Sequence, residues 1–190
     1  ELSAQPSRAQ RDLPYSGLDV ELGISHLQML GVKYYMATSQ QAIDAARADD
    51  RLTELTAVNP PPTADGVSHR WVVFQVADAE LVTPLRYQPV VLEDTDDHID
   101  GWVYAKERSA PLAGQEVGAK QAGPAVTWYQ DPTRWDVPLA TSGPSEWKRV
   151  SPDDTDPPRV AVPEVEVSNV RDDGDSVSFD VSRTGSPILI

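Results

Sequence analysis

The acidic run from Asp96 to Glu107 contains the sharpest local pattern for chemistry in this sequence. The carboxylates of Asp96, Asp100 and Glu107 fall at positions 1, 5 and 12 of a calcium-binding EF-hand loop. Gly101 falls at position 6, where such a loop turns sharply so that several oxygen ligands converge on one hard cation. However, His98 stands at position 3, where an oxygen donor is required, and no strong helical pattern flanks the run. We therefore expect a solvated acidic loop and no cofactor, with calcium as the alternative.

Trp128, Tyr129 and Trp135 form an aromatic cluster beside the guanidinium of Arg134. Exposed rings next to polar groups are typical of sugar-binding platforms, so these four residues are the candidate glycan-binding site. The alternative is that the rings close a small core beneath a long connection. Rings exposed in one plane would favour glycan binding, whereas buried rings would favour the small core.

No catalytic residue is predicted in this chain. The three histidines, His26, His69 and His98, are scattered, and there is no Gly-x-Ser-x-Gly motif to supply a serine nucleophile. Phosphate-binding glycine loops are absent from the sequence as well. Because the chain has no cysteine, disulfides, thiolate metal sites and cysteine nucleophiles are excluded. Thirty acidic residues provide carboxylate pairs by chance, which is no evidence for glycoside hydrolysis. An independent hydrolase is therefore the least favoured function.

The net charge of the chain limits the classes of partner that we expect. Sixteen basic and 30 acidic residues give a formal net charge of −14. Nucleic acids and anionic lipid surfaces attract Lys and Arg, so neither is an expected partner. No apolar run approaches the ~20 residues that span a bilayer, and direct insertion of the chain into a membrane is not expected. The first residues lack a signal-peptide pattern, and the chain ends in the apolar run 186–190. These ends suggest a piece of a longer protein.

The elements that would position these residues follow from hydrophobic periodicity, which predicts an α+β fold in four regions. Residues 1–17 form a lead-in segment, and 18–92 form a small α/β unit with a mixed sheet. Residues 93–158 are an acidic, Trp-containing connection with irregular structure and short helices. Residues 159–190 form an incomplete, truncated antiparallel sheet of sandwich-like character, with a hairpin turn at Asp172–Asp175.

Within the α/β unit, the pattern predicts two helices and four strands. The first helix ends at Gly31, and the second begins at a Thr38 or Ser39 cap. The helices are predicted over 18–30 and 40–48, and the strands over 32–37, 52–58, 70–76 and 87–92. The strand over 52–58 is expected to have one solvent-facing side.

Four longer sequence segments resemble those of a known group of membrane proteins. His26-Leu-Gln-Met-Leu-Gly-Val-Lys-Tyr-Tyr-Met36 resembles a helix and strand from extracytoplasmic regions of large bacterial polytopic membrane proteins. Residues 128–139 and 143–150 resemble actinobacterial members, and 176–190 resembles a strand pair that precedes a final transmembrane helix. The family is similar to membrane proteins of the YfhO type and to those labelled 6-pyruvoyl-tetrahydropterin-synthase-related. Such proteins resemble GT-C glycosyltransferases, which use polyprenyl-phosphate sugars, and the pterin label implies no pterin chemistry.

The resemblance covers most of residues 13–190. It rests on segments that form helices and strands, and none of these segments contains a catalytic motif. It implies a non-catalytic domain on the extracytoplasmic side of a cell membrane, facing the cell wall and attached to its own transmembrane region. The full-length protein would then be the glycosyltransferase. The implied task of the domain is to shape or bind a cell-wall glycan acceptor, and a stand-alone carbohydrate-binding module is the alternative.

Overall fold

A computed structural model describes residues 18–59, 70–93, 123–152, 154 and 156–190. Contacts divide the chain into two compact units. The first unit extends to Thr83 and includes Ile190, and the second comprises Pro84–Leu189. Helices and strands are mixed in both, and the strands form several small sheets, which confirms the predicted α+β class.

The first unit alternates helices and strands, and its two helices lie within two residues of their predicted bounds. In chain order the elements are α1 (Val20–Met29), β1 (Tyr34–Ala37), α2 (Gln40–Arg47), β2 (Leu52–Val58) and β3 (Trp71–Val76). The Asp19 carboxylate accepts a hydrogen bond from the Leu22 N–H at 3.0 Å and caps α1. Gly31 follows that helix with φ +65°, a conformation that glycine adopts without strain. The hydroxyl of Ser39 caps α2 by accepting from the Ala42 N–H at 3.2 Å.

The sheet of this unit has the order β1–β3–β2, and both strand pairs are antiparallel. The prediction of a mixed sheet here is therefore wrong. Phe74 on the central strand lies opposite Tyr35 on one side and Glu54 on the other. A bulge at Leu55 then shifts the register, so that Thr56 lies opposite Val73.

Both helices pack on one face of this sheet, and the core lies between the helices and that face. Tyr35 and Phe74 are stacked within it, with ring centroids 6.1 Å apart. The buried residues come from all five elements and from the turn after β3: Val20, Ile24, Tyr35, Ala37, Ala42, Ile43, Ala46, Leu52, Val72, Phe74, Val76 and Ala79. Leu52 is the only buried residue of β2. The strand thus has solvent on both sides, and the expectation of one solvent-facing side is wrong beyond Leu52.

The second unit is built from shorter elements: β5 (Val90–Leu92), α3 (Pro124–Gln130), a 3₁₀ turn (Pro132–Arg134), β6 (Leu139–Ala140), β7 (Arg149–Val150), β8 (Val167–Asp172), β9 (Val177–Val181) and β10 (Ile188–Leu189). Strand β4 (Thr83–Pro84) lies at the division between the units. β5 pairs in parallel with β6 and with β7. Val90, Leu92, Val137 and Val150 form the core beneath these strands. β5 is shorter than predicted, since Tyr87 makes only an isolated bridge to Ala161.

β8 and β9 form the predicted hairpin near the end of the chain. The strands are antiparallel, with a register shift between Ser168 and Arg171. Gly174 in the turn has φ +84°, and its N–H donates to the Asp172 carboxylate at 2.9 Å. This agrees with the predicted turn. Among the described residues, every helix falls short of the length and apolar character that a membrane span requires.

Candidate functional site

The structure brings the predicted glycan-binding residues together at the end of α3. The Trp128 indole N–H donates to the carbonyls of Arg134 and Val137, at 2.9 and 3.0 Å. The Trp135 indole N–H donates to the carbonyls of Trp128 and Tyr129, at 2.9 and 3.2 Å. The two indole centroids are 6.4 Å apart, and the ring planes are tilted by 46°. Each indole is therefore hydrogen-bonded to the backbone of the segment that contains the other tryptophan.

This geometry favours the small core over the sugar platform. The rings of Trp128, Tyr129 and Trp135 are half-buried, and the two indoles do not lie in one plane. The Arg134 guanidinium pairs with the Asp131 carboxylate at 3.1 Å. The Thr133 hydroxyl donates to the same carboxylate at 2.6 Å, and with Arg134 it lowers the pKa of Asp131. The Asp131 carboxylate is thus bonded to both Arg134 and Thr133, in a local network within the cluster.

The candidate metal ligands and two of the histidines lie outside the described residues. Asp96, Asp100 and Glu107 fall in that part of the chain, as do His69 and His98. The remaining histidine, His26, is buried in α1 with 3% of its surface exposed. Within the described ranges, no group of three or more His, Asp or Glu side chains is placed to hold a metal ion.

An open groove lies beside Arg51, between the start of α1 and the end of α2. The Arg51 guanidinium donates to the Asp49 carboxylate at 2.6 and 2.9 Å, to the Ser25 hydroxyl at 2.9 Å and to the Glu21 carbonyl at 3.0 Å. These bonds tie α1 to the turn that precedes β2. Because Arg51 is engaged in this way, the groove offers a ligand no unpaired cation.

The face of the β1–β3–β2 sheet that is turned away from the helices is the most distinctive surface of the first unit. Strand register places eight side chains there in three rows, and we call them the open face: Tyr34, Gln75 and Thr53; Met36, Val73 and Thr56; Trp71 and Val58. Tyr34, Met36 and Trp71 are exposed over 61%, 51% and 41% of their surface. Val58 is exposed over 49% of its surface, so two aromatic and two other apolar side chains of this face are exposed to solvent.

None of the eight residues carries a charge, although the chain has a net charge of −14. The hydrogen-bonding groups of the open face are the Tyr34 phenol, the Trp71 indole N–H, the Gln75 amide and the hydroxyls of Thr53 and Thr56. Sequence reasoning missed this surface. The signal was present in the strand Trp71–Val76, which has large apolar residues at both odd and even positions and therefore has two faces suited to contact.

Comparison with protein-family models, with curated proteins and with solved structures finds no match to this chain.

Proposed function

We propose that this chain is a non-catalytic extracytoplasmic domain of a polytopic, glycosyltransferase-like membrane protein. Its task is to shape or bind a glycan acceptor at the cell-wall side of the membrane. The resemblance of the segments 26–36, 128–139, 143–150 and 176–190 to such proteins supports the location. The open face is the single structural observation that supports the binding role.

An exposed and contiguous set of aromatic and aliphatic side chains is costly for an isolated soluble unit, and such patches mark binding surfaces. The opposite side of the same sheet already has its helices and its buried core. The open face is therefore not needed to complete the core of the first unit. Tyr and Trp suit glycans because a ring covers the apolar face of a sugar while its polar edge stays hydrated.

On this proposal, the transfer chemistry belongs to the membrane-embedded part of the protein. That part would use a polyprenyl-phosphate sugar, and this domain would hold the acceptor near it. The partners are therefore its own transmembrane region and a cell-wall glycan. The formal charge of −14 suits a domain held beside a membrane without lying on its anionic surface. The separate core of the first unit also favours a second candidate, a stand-alone carbohydrate-binding module.

Titration of the ¹⁵N-labelled chain with arabinan, galactan, mannan and peptidoglycan fragments tests the binding role. We expect amide shifts with at least one fragment. Assays for glycosidase, esterase and phosphatase turnover should give no product above a buffer control. Turnover that one point mutation abolishes would contradict the non-catalytic role, and a titration without shifts for any fragment would contradict glycan binding.

A further inference from the structure

We infer that the open face binds an uncharged polysaccharide strand, with Tyr34 and Trp71 as the two stacking rings. This inference rests on the proposed function and names both the surface and the ligand class. It moves the glycan site from the Trp128 cluster, whose indole N–H groups are bonded to backbone carbonyls, to the first unit.

Register fixes how the two rings are spaced. Tyr34 lies opposite Gln75, and Trp71 is four residues from Gln75 along β3. With ~3.3 Å per residue along a strand and ~4.8 Å between strands, the two Cα atoms are about 14 Å apart. The middle row has no aromatic side chain, so the two rings lie in the two outer rows, at opposite ends of the face. A linear chain of several sugars, rather than a monosaccharide, is the ligand that can contact both rings.

The groups between and beside the rings are donors and acceptors without charge. Gln75, Thr53 and Thr56 are exposed, and no described residue is hydrogen-bonded to their side chains. Sugar hydroxyls can both donate to and accept from an amide or a hydroxyl, so they match these groups. An apolar protein partner would bury the same groups without satisfying them, which costs free energy.

Charge argues against the other occupants. A second copy of this chain brings another charge of −14, and an anionic lipid surface is repelled for the same reason. A neutral polysaccharide has no such penalty. It also predicts that affinity is independent of ionic strength, since salt screens only charged pairs.

The test uses the 190-residue chain and a neutral arabinan or mannan oligosaccharide in an NMR titration. We expect shifts at Tyr34, Trp71 and Gln75, and the same affinity at about 50 and about 500 mM salt. Trp71→Ala and Tyr34→Ala should each weaken binding about tenfold or more, as loss of an aromatic anchor does. The matched control is Val170→Ala on β8, because Val170 has the same 41% exposure as Trp71 and belongs to the second unit, outside the eight residues of the open face. It should keep full affinity, and the dispersion of each variant's spectrum shows that it is folded.

The outcomes separate this inference from the proposed function. Shifts at residues 128–135, with affinity unchanged in Trp71→Ala and Tyr34→Ala, would overturn the inference and leave the proposed function intact. Absence of binding to every glycan would overturn both. Concentration-dependent dimerisation that Trp71→Ala abolishes, or binding to phosphatidylglycerol vesicles that Trp71→Ala abolishes, would overturn the inference by assigning the open face to a second copy or to a membrane.

Discussion

The indole N–H of Trp135 donates to the backbone carbonyl of Trp128 at 2.9 Å, so the second ring of the cluster is anchored to the residue that carries the first. Trp128 in turn bonds to the carbonyls of Arg134 and Val137, on either side of Trp135. Val137 is fully buried in the core of the second unit. The two rings therefore connect α3 to that core, which is a structural task.

Removing the Trp128 ring should destabilise the chain. Trp128→Ala loses a half-buried ring and two hydrogen bonds, and we expect the free energy of unfolding to fall by about 3 kcal/mol. Trp128→Phe keeps most of the ring but loses the N–H, and should cost about 1 kcal/mol. Urea denaturation followed by circular dichroism measures both values. A Trp128→Ala chain of unchanged stability and reduced glycan affinity would instead make the ring part of a sugar platform.

Local signals predicted the helices of the first unit because each signal acts within a few residues. Ser39 caps α2 through the N–H three residues ahead, and Gly31 takes the positive φ that ends α1. The strands β1 and β3 were equally predictable from the sequence, since their β-branched and aromatic residues favour extended backbone. The direction of strand pairing was not predictable, because parallel and antiparallel pairing depends on contacts between distant segments.

The parallel sheet of the second unit was beyond sequence reasoning for the same reason, and the sequence does not say which face of the first sheet stays uncovered. β6 and β7 are two residues each, and only their pairing with β5 makes them strands. Tyr34 and Trp71 lie in predicted strands, but alternation alone does not say which side of a sheet the helices cover. The prediction that Trp128 and Trp135 lie together is confirmed, but the direction of their indole N–H groups depends on how the chain turns between them, which no local pattern shows.

Gly143 should not tolerate a side chain. A Cβ at this position would lie 2.8 Å from Cζ3 and 3.0 Å from Cδ2 of the Trp147 ring, which packs over the glycine. The Arg149 guanidinium fixes the same loop, since it donates to the carbonyls of Gly143, Pro144 and Trp147, among others. We expect Gly143→Ala to displace the ring and to cost about 1–3 kcal/mol.

Chemical denaturation measures that cost, and tryptophan fluorescence should shift to longer wavelength as the Trp147 ring becomes more hydrated. Ser145→Ala is the matched control, because Ser145 is exposed and contributes its backbone carbonyl, not its hydroxyl, to the bond with Arg149. If Gly143→Ala and Ser145→Ala are equally stable, the ring is not held against the glycine.

Arg51 should contribute to stability well beyond an ordinary surface arginine. It bonds to Asp49, to the Ser25 hydroxyl and to the Glu21 carbonyl, and so connects α1 with the turn before β2. We expect Arg51→Ala to lower the free energy of unfolding by about 2 kcal/mol. Arg171→Ala on the exposed strand β8 serves as the control and should change it by less than about 0.5 kcal/mol. Equal effects of the two substitutions would show that the bonds of Arg51 add nothing to stability.

The same ion pair should make stability depend on pH in the acidic range. Hydrogen bonds from the Arg51 side chain lower the pKa of Asp49 in the folded chain. The folded state therefore favours the carboxylate, and this contribution is complete above the unfolded pKa of about 3.9. It is lost as the pH falls through the lower pKa of the folded state.

Asp49→Asn removes that dependence. We expect the difference in unfolding free energy between the native chain and Asp49→Asn to be largest near neutral pH and to shrink below about pH 4. Urea denaturation at several pH values measures it. Asp50→Asn is the matched control, because Asp50 is an exposed neighbour whose carboxylate is not hydrogen-bonded to Arg51 in the described structure. A difference for Asp49→Asn that stays constant with pH would contradict a lowered pKa of Asp49.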